Sequence, residues 1–280
     1  MDVQTVVKEK AQAMRRDIIE MIHEAGSGHP GGSLSCTDIL ATLYFGGVMN
    51  HNPENPKDAN RDRFILAKGH AAPALYAVLA EAGYFPREEL MTLRKLGTRL
   101  QGHPDCNLLE GVEVSTGSLG QGLSISAGLA AGFRLEGIDA CVFTVMGDGE
   151  CQEGQVWEAA QFAAHQSLGK LIAIVDANGL QIDGKVEDVC SSGTLAEKFS
   201  AFGWEVYETD GHNVAELIEL FSKLKESSSD KPKAVIAHTI KGKGVSFMEN
   251  QVGWHGKAPN KEEYDIAMAE LKSQLQALEG

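Results

Sequence analysis

Two short apolar runs with one helical stretch between them constrain this chain more than any other feature. The first, residues 140–146, reads Ala-Cys-Val-Phe-Thr-Val-Met and breaks into Gly147, Asp148 and Gly149. A helix-like stretch follows from Gln152 to about Gln166, and the second run, residues 171–175, reads Leu-Ile-Ala-Ile-Val. It ends in Asp176, Ala177, Asn178 and Gly179. β-rich runs joined by one helix make a βαβ unit, which forces the two strands to be parallel. The crossover brings both carboxyl ends to the same sheet edge. Asp148 and Asn178, thirty positions apart, therefore converge just outside that edge.

That convergence has a chemical meaning. Asp148 offers a carboxylate oxygen, Asn178 an amide oxygen, and the turn after Asn178 offers backbone carbonyls, that of Leu180 included. Three oxygens suit Mg²⁺, with Mn²⁺ or Ca²⁺ as substitutes, and phosphate oxygens and water would complete the shell. Gly147 and Gly149 allow close backbone approach. A helix starting soon after Gly149 presents free N–H groups and a positive dipole end to a diphosphate. Either turn alone reads as an ordinary tight turn. The pair, each closing an apolar strand, predicts a metal-bridged diphosphate.

Elsewhere the chain alternates helical and strand-like stretches. Helices are expected over 3–25, 35–46, 73–83, 86–95, 194–202, 213–226 and the last twenty residues, with another opened by the run 116–122 and reaching Gly132. Further strands are expected at 64–67, 204–208 and 234–238. This pattern, without repeats or linkers, predicts one doubly wound, mostly parallel α/β sheet flanked by helices, a single domain over 1–280 with a C-terminal helix. The stretch after Gly120 is rich in Gly, Ala and Ser, which points to close backbone packing and a subunit contact. Four histidines share a setting. His29, His70, His103 and His255 each stand in a Gly- or Pro-bearing loop after an apolar element. Such loops ring the ligand crevice of an open α/β sheet, and imidazoles there can give or take protons near neutral pH. His23, His51, His165, His212 and His238 lack that setting and read as structural or surface residues.

Composition removes other classes. Lys plus Arg total 25 against 39 Asp plus Glu, a formal charge of −14, which disfavours nucleic acid. The five cysteines are scattered without a paired motif and read as reduced thiols. Without an apolar leader or membrane-length stretch, a cytoplasmic, non-membrane protein is expected. No glycine-rich dinucleotide fingerprint follows the first strand, which argues against a dehydrogenase.

Gly-Asp-Gly followed about thirty residues later by Asn after a strand resembles the thiamine diphosphate signature. The wider text around 147–154 and 175–184 is similar to transketolase, and the likeness runs from about residue 10 to 260. The resemblance implies that His29 contacts sugar hydroxyls and His103 the donor's first hydroxyls. It puts His70 on the diphosphate side, and gives His255 both diphosphate contact and proton movement. The loop with Gly117, Ser118 and Leu119 would hold the aminopyrimidine, and Glu153 would link two active sites across a dimer, although an acidic residue at a helix start also needs no such role. Asp148, Asn178 and the Leu180 carbonyl would ligate the metal, with Gly147 and Gly149 against the diphosphate. The family often has Pro at position 118 and an acidic or amide residue at position 177, where this chain has Ser118 and Ala177. The cofactor-activating Glu and the sugar-phosphate arginines of transketolases lie in a following domain that this chain lacks. The resemblance therefore implies the N-terminal half of a split enzyme: an α2β2 heterotetramer that moves a two-carbon unit from a ketose phosphate to an aldose phosphate. A relative specialised for a sulfonated or branched sugar, or a non-catalytic cofactor-binding subunit, are the alternatives.

Overall fold

In the computed structural model, which describes residues 2–191 and 193–279, the apolar runs become strands of one five-stranded sheet. These are β1 (Arg63–Leu66), β2 (Val142–Gly147), β3 (Leu171–Ala177), β6 (Glu205–Asp210) and β7 (Lys233–His238). Their order is β1-β2-β3-β7-β6, and every neighbouring pair is parallel. A separate two-stranded hairpin, β4 (Leu180–Gln181) with β5 (Gly184–Lys185), follows the turn at Asn178. Its strands are too short for any periodicity to announce them.

Alternation along each strand feeds two cores. Phe64, Phe143, Val145, Ile172, Ile174 and Val235 point to one face. There α1 (Val3–Ala25), α3 (Thr37–Phe45), α4 (Ala72–Glu81), α9 (Val214–Glu226) and α10 (Lys261–Glu279) cover them. Ile65, Val142, Met146, Ala173, Val175 and Ile236 point to the other face. That face is covered by α5 (Gln121–Glu136), α6 (Gly154–His165) and α8 (Leu195–Ala201). Helices on both faces of a parallel sheet make the doubly wound architecture expected above. Two short helices, α2 (Pro30–Ser35) and α7 (Val186–Cys190), complete the set among the described residues. Among the described residues no helix is long and apolar enough to cross a membrane.

The long first helix shows the local logic. Val7, Ala11, Met14, Ile18 and Ile22 fall on one stripe and are fully buried. Each large one contributes about 1.5–3 kcal/mol. The helix stops at Gly26, whose φ of 61° lets its N–H cap the His23 carbonyl.

Three boundaries differ from expectation. Residues 30–35, which overlap the glycine- and proline-bearing loop after the first helix, form α2, and the helix expected over 35–46 runs as α3 from Thr37, after Cys36, whose thiol bonds back to the Gly32 carbonyl. The stretch 86–95 is only a 3₁₀ segment, Arg87–Thr92, ended where Leu93 leaves helical backbone and Arg94 turns left-handed. The crossover helix starts at Gly154, after a 3₁₀ turn at Glu150–Gln152. Gly280, the end of the expected terminal helix, lies outside the described residues.

A buried polar clasp ties α1, α3 and the entry to α9. Arg15 Nη2 donates to Asp38 Oδ2 at 2.6 Å, and His212 Nδ1 reaches the same oxygen at 2.7 Å. His212 Nε2 accepts the Ile240 N–H at 2.9 Å, so the proton on Nδ1 is the one Asp38 receives. Burial alone would raise the Asp38 pKa, but Arg15 and His212 overcome it and hold the carboxyl at about 2. A depressed carboxylate contributes stability above its unfolded value and loses it as pH falls through the folded one. Asp38 alone is therefore expected to withdraw about 2 kcal/mol between about pH 4 and pH 2. Urea titrations across that window check this; an Asp38→Asn variant with the same acid limb as the parent would refute it.

Candidate active site

Because every strand of the main sheet runs the same way, its carboxyl ends share one edge, and a cleft of about 430 Å³ opens there. Lys68 and His70 follow β1, Asp148 follows β2, Asn178 follows β3, and Lys241 and His255 come from the segments after β7. His29 enters from the loop before α2.

The floor is a buried ion pair. Lys68 Nζ donates to Asp176 Oδ2 at 2.5 Å and to the Gly32 carbonyl at 2.7 Å. Asp176 also accepts from Ser35 Oγ at 2.5 Å, from the Thr239 hydroxyl, and from Asn178 Nδ2 at 3.0 Å. Burial opposes both charges, yet each holds the other ionised: the Lys68 pKa is raised and the Asp176 pKa lowered. Asp176 thereby orients the Asn178 amide, whose Oδ1 receives the Leu180 N–H at 3.1 Å.

Above this floor the three expected oxygen donors do converge. Asp148 takes the Gly149 N–H on one oxygen at 2.8 Å and the Gly179 N–H on the other at 2.6 Å. Burial pushes its carboxyl up to about 6, against the pull of those two amides. The Leu180 carbonyl accepts from Lys241 Nζ at 2.9 Å, and the same ammonium reaches His255 Nδ1 at 2.9 Å. A dry carboxylate, an amide oxygen and a carbonyl already facing a cation fit a hard divalent ion. Among the described residues no group of three or more His, Cys, Asp or Glu forms a cage. Three protein oxygens would leave the other positions of such an ion to phosphate oxygens and water.

Three of the four singled-out histidines form a cluster. The His29 and His70 ring centroids are 5.3 Å apart, His29 and His255 5.7 Å, and His70 and His255 5.1 Å in a stacked pair. Burial, with neighbouring cations, drives His70 down to about 2 and His29 and His255 down to about 4. All three rings are thus neutral at physiological pH. His103 stands further along the cleft against Gly117, where a Cβ would lie 2.8 Å from the His103 ring. The φ of 142° at Gly117 also excludes other residues.

Gly117, Leu119, Gly147, Gly149 and Glu153 line the cleft, whereas Ser118 lies outside the lining, its carbonyl accepting the Gln121 N–H at 3.3 Å. The helix N-terminus expected beside Gly149 is displaced to Gly154, and the amides of Cys151 and Gln152 are taken by the Asp148 and Gly149 carbonyls. The cation that lines this part of the cleft is instead Lys241. In the sequence Lys241 only opens a Lys-Gly-Lys-Gly run, and neither Asp176 nor Glu150 stands out. Glu150 is 4% exposed and joins two cleft loops, accepting the Gly120 and Gly147 N–H groups at 3.0 Å each. The one available signal is a charged residue beside a strand end. The other histidines with contacts near the surface are structural or peripheral as expected: His23 stacks on Tyr264, His51 bonds the Tyr44 carbonyl, and His238 pairs with Glu208.

A parallel α/β sheet with oxygen donors, a lysine and neutral imidazoles around its carboxyl edge defines a protein that binds a phosphorylated cofactor. Residues 6–276 match the transketolase, thiamine diphosphate-binding domain family, and the chain belongs to it. It is 42% identical to the 6-deoxy-6-sulfo-D-fructose transketolase subunit of Clostridium sp. (strain MSTE9), over 96% of this chain and 97% of that one. It is 39% identical to an apulose-4-phosphate transketolase subunit of Phocaeicola vulgatus, over 96% of this chain and 95% of that one. Transketolase from Campylobacter jejuni superposes with a TM-score of 0.89 at 33% identity, covering 99% of this chain but 43% of that longer one. The same share, 43%, holds for human transketolase, 39% identical over 97% of this chain. The chain thus spans less than half of these long transketolases and nearly all of the separate subunits.

Proposed function

We propose that the chain is the diphosphate-binding subunit of a two-part transketolase, moving a two-carbon unit from a ketose to an aldose together with a separate partner chain. The observation that carries this is the convergence of Asp148, Asn178, the Leu180 carbonyl and Lys241 beside the neutral His29, His70 and His255 cluster. Asp148, Asn178 and Leu180 would hold Mg²⁺, and Lys241, His70 and His255 the diphosphate. Gly117 and Leu119 would seat the aminopyrimidine. When bound, thiamine diphosphate supplies a nucleophilic carbon and an electron sink for breaking and making a bond next to a carbonyl. This chain's residues do the rest that lies within reach: they neutralise the diphosphate, keep the floor dry, and present neutral imidazoles to the sugar's oxygens.

The cations of the cleft floor, Lys68 and Lys241, are buried, and in this reading they lie under the cofactor. On the same reading the charged far end of the sugar points toward the partner chain, which would distinguish phosphate from sulfonate. The 42% identity to a sulfosugar transketolase subunit makes a sulfonated ketose the second reading. The exposed side of α5, where Leu135 is 84% exposed and Gly128 and Gly132 face open space, suits the partner contact.

The test is to isolate the chain gently from its native cells. A stoichiometric second polypeptide, with ketose-to-aldose transfer only in the complex, is the expected result; a homodimer without partner would oppose it. In that complex His29→Ala is expected to leave cofactor affinity intact and lower kcat on the order of 100-fold, the effect of losing one donor to a developing charge. Loss of the cofactor instead would show that His29 belongs to its binding.

A further inference from the structure

Among the residues around the cleft, Arg94 combines a strained backbone with an aimed side chain. Its φ is 58°, a left-handed conformation that disfavours every residue but glycine and, less so, Asn and Asp. Its amide bonds the Leu100 carbonyl at 2.9 Å, which closes the loop below the cleft rim. The guanidinium donates through Nη1 to Ser27 Oγ at 2.9 Å and through Nη2 to His29 Nδ1 at 3.3 Å. Gly102 leaves it room, since a Cβ there would stand 3.2 Å from Arg94 Cζ.

A guanidinium has only donors. The His29 nitrogen it meets must be the unprotonated one, so the single proton of the neutral ring sits on Nε2. We propose that Arg94 is a positioning residue that locks His29 in the Nε2–H form, so that His29 meets the substrate as a hydrogen-bond donor and not as a proton acceptor. The identity of that substrate rests on the transketolase reading; the tautomer does not. His255 is treated alike, because the Lys241 ammonium also only donates and reaches its Nδ1 at 2.9 Å. The cleft then holds two neutral N–H donors on rings 5.7 Å apart, suited to a sugar oxygen on which negative charge builds. An orienting group behind a histidine sets which nitrogen faces the reaction in the same way that a carboxylate does from the opposite, accepting side.

Strain separates this role from a merely structural one. Arg94→Gly removes the guanidinium but relieves the backbone, so its denaturation midpoint is expected to equal or exceed the parent's. ¹⁵N spectra of the full chain at pH 7 should show wild-type His29 protonated on Nε2 only, and an Nδ1–H population should appear in Arg94→Gly. In the complex with its co-purified partner, kcat should fall about tenfold with KM less changed, a smaller loss than removing a donor outright. Arg94→Lys, which keeps a cationic donor, should recover part of it. A wild-type His29 carrying its proton on Nδ1, or an Arg94→Gly variant with tautomer and kcat unchanged, would overturn the proposal. A wild-type complex without transfer activity would overturn the functional reading alone and leave the ¹⁵N result to decide this one.

Discussion

Asp148→Ala is expected to abolish the part of thiamine diphosphate affinity that depends on a divalent ion. Asp148 is the one charged oxygen donor of the predicted set, and it is held by the Gly149 and Gly179 amides at 2.8 and 2.6 Å. Losing even a residue behind a metal ligand costs about 10–100-fold in affinity, so losing the ligand should cost at least about 100-fold. The measurement is cofactor binding to the assembled complex with Mg²⁺ and with a chelator. The two affinities should differ strongly in the parent and coincide in the variant. A variant that still binds more tightly with Mg²⁺ would move the ion away from Asp148. The substitution also strands two amides, each worth about 1 kcal/mol, so unfolding must be measured beside binding. Asp148→Asn, which keeps one acceptor and the shape, separates the two effects.

The largest effect on folding should come from Lys68→Met. Lys68 and Asp176 are 2% and 0% exposed in their side chains and 2.5 Å apart. Removing one partner of a buried pair leaves an uncompensated charge and costs about 3–5 kcal/mol. Replacing both with neutral groups of similar volume is often close to neutral, so Lys68→Met with Asp176→Asn should regain most of the loss. Denaturant midpoints of the two single variants and the double variant decide it. A Lys68→Met cost under about 1 kcal/mol would mean that Asp176 finds another partner or takes a proton. Because Asp176 also receives the Asn178 amide, the single variant should loosen metal-dependent cofactor binding as well.

Much of this arrangement is legible without any coordinates. The strands at 142–147 and 171–177 are announced by apolar runs, and their parallel pairing by the helix between them. Once the strands are parallel, Asp148 and Asn178 have to meet, because a crossover leaves both carboxyl ends at one edge. The histidines at 29, 70 and 255 carry a weaker signal, a glycine- or proline-bearing loop, and they do cluster. The same signal at His103 puts it in the cleft but outside that trio. Boundaries fail where a local bond outvotes periodicity, as at the 3₁₀ turn before Gly154.

What the amino-acid order determined by itself was local: which runs are strands, which helices join them, and which polar groups sit at strand ends. Period-2 and period-3.6 patterns act over a few residues, so they can be read without knowing the fold. The partners of long charged side chains were decided only by tertiary structure. Lys68 finds Asp176 across 108 positions, Arg94 finds His29 across 65, and Glu150 joins Gly120 across 30. No short-range pattern encodes such pairs, because each exists only once separately folded segments pack side by side. Burial then strengthens the Lys68–Asp176 pair and sets which groups in the cleft are charged.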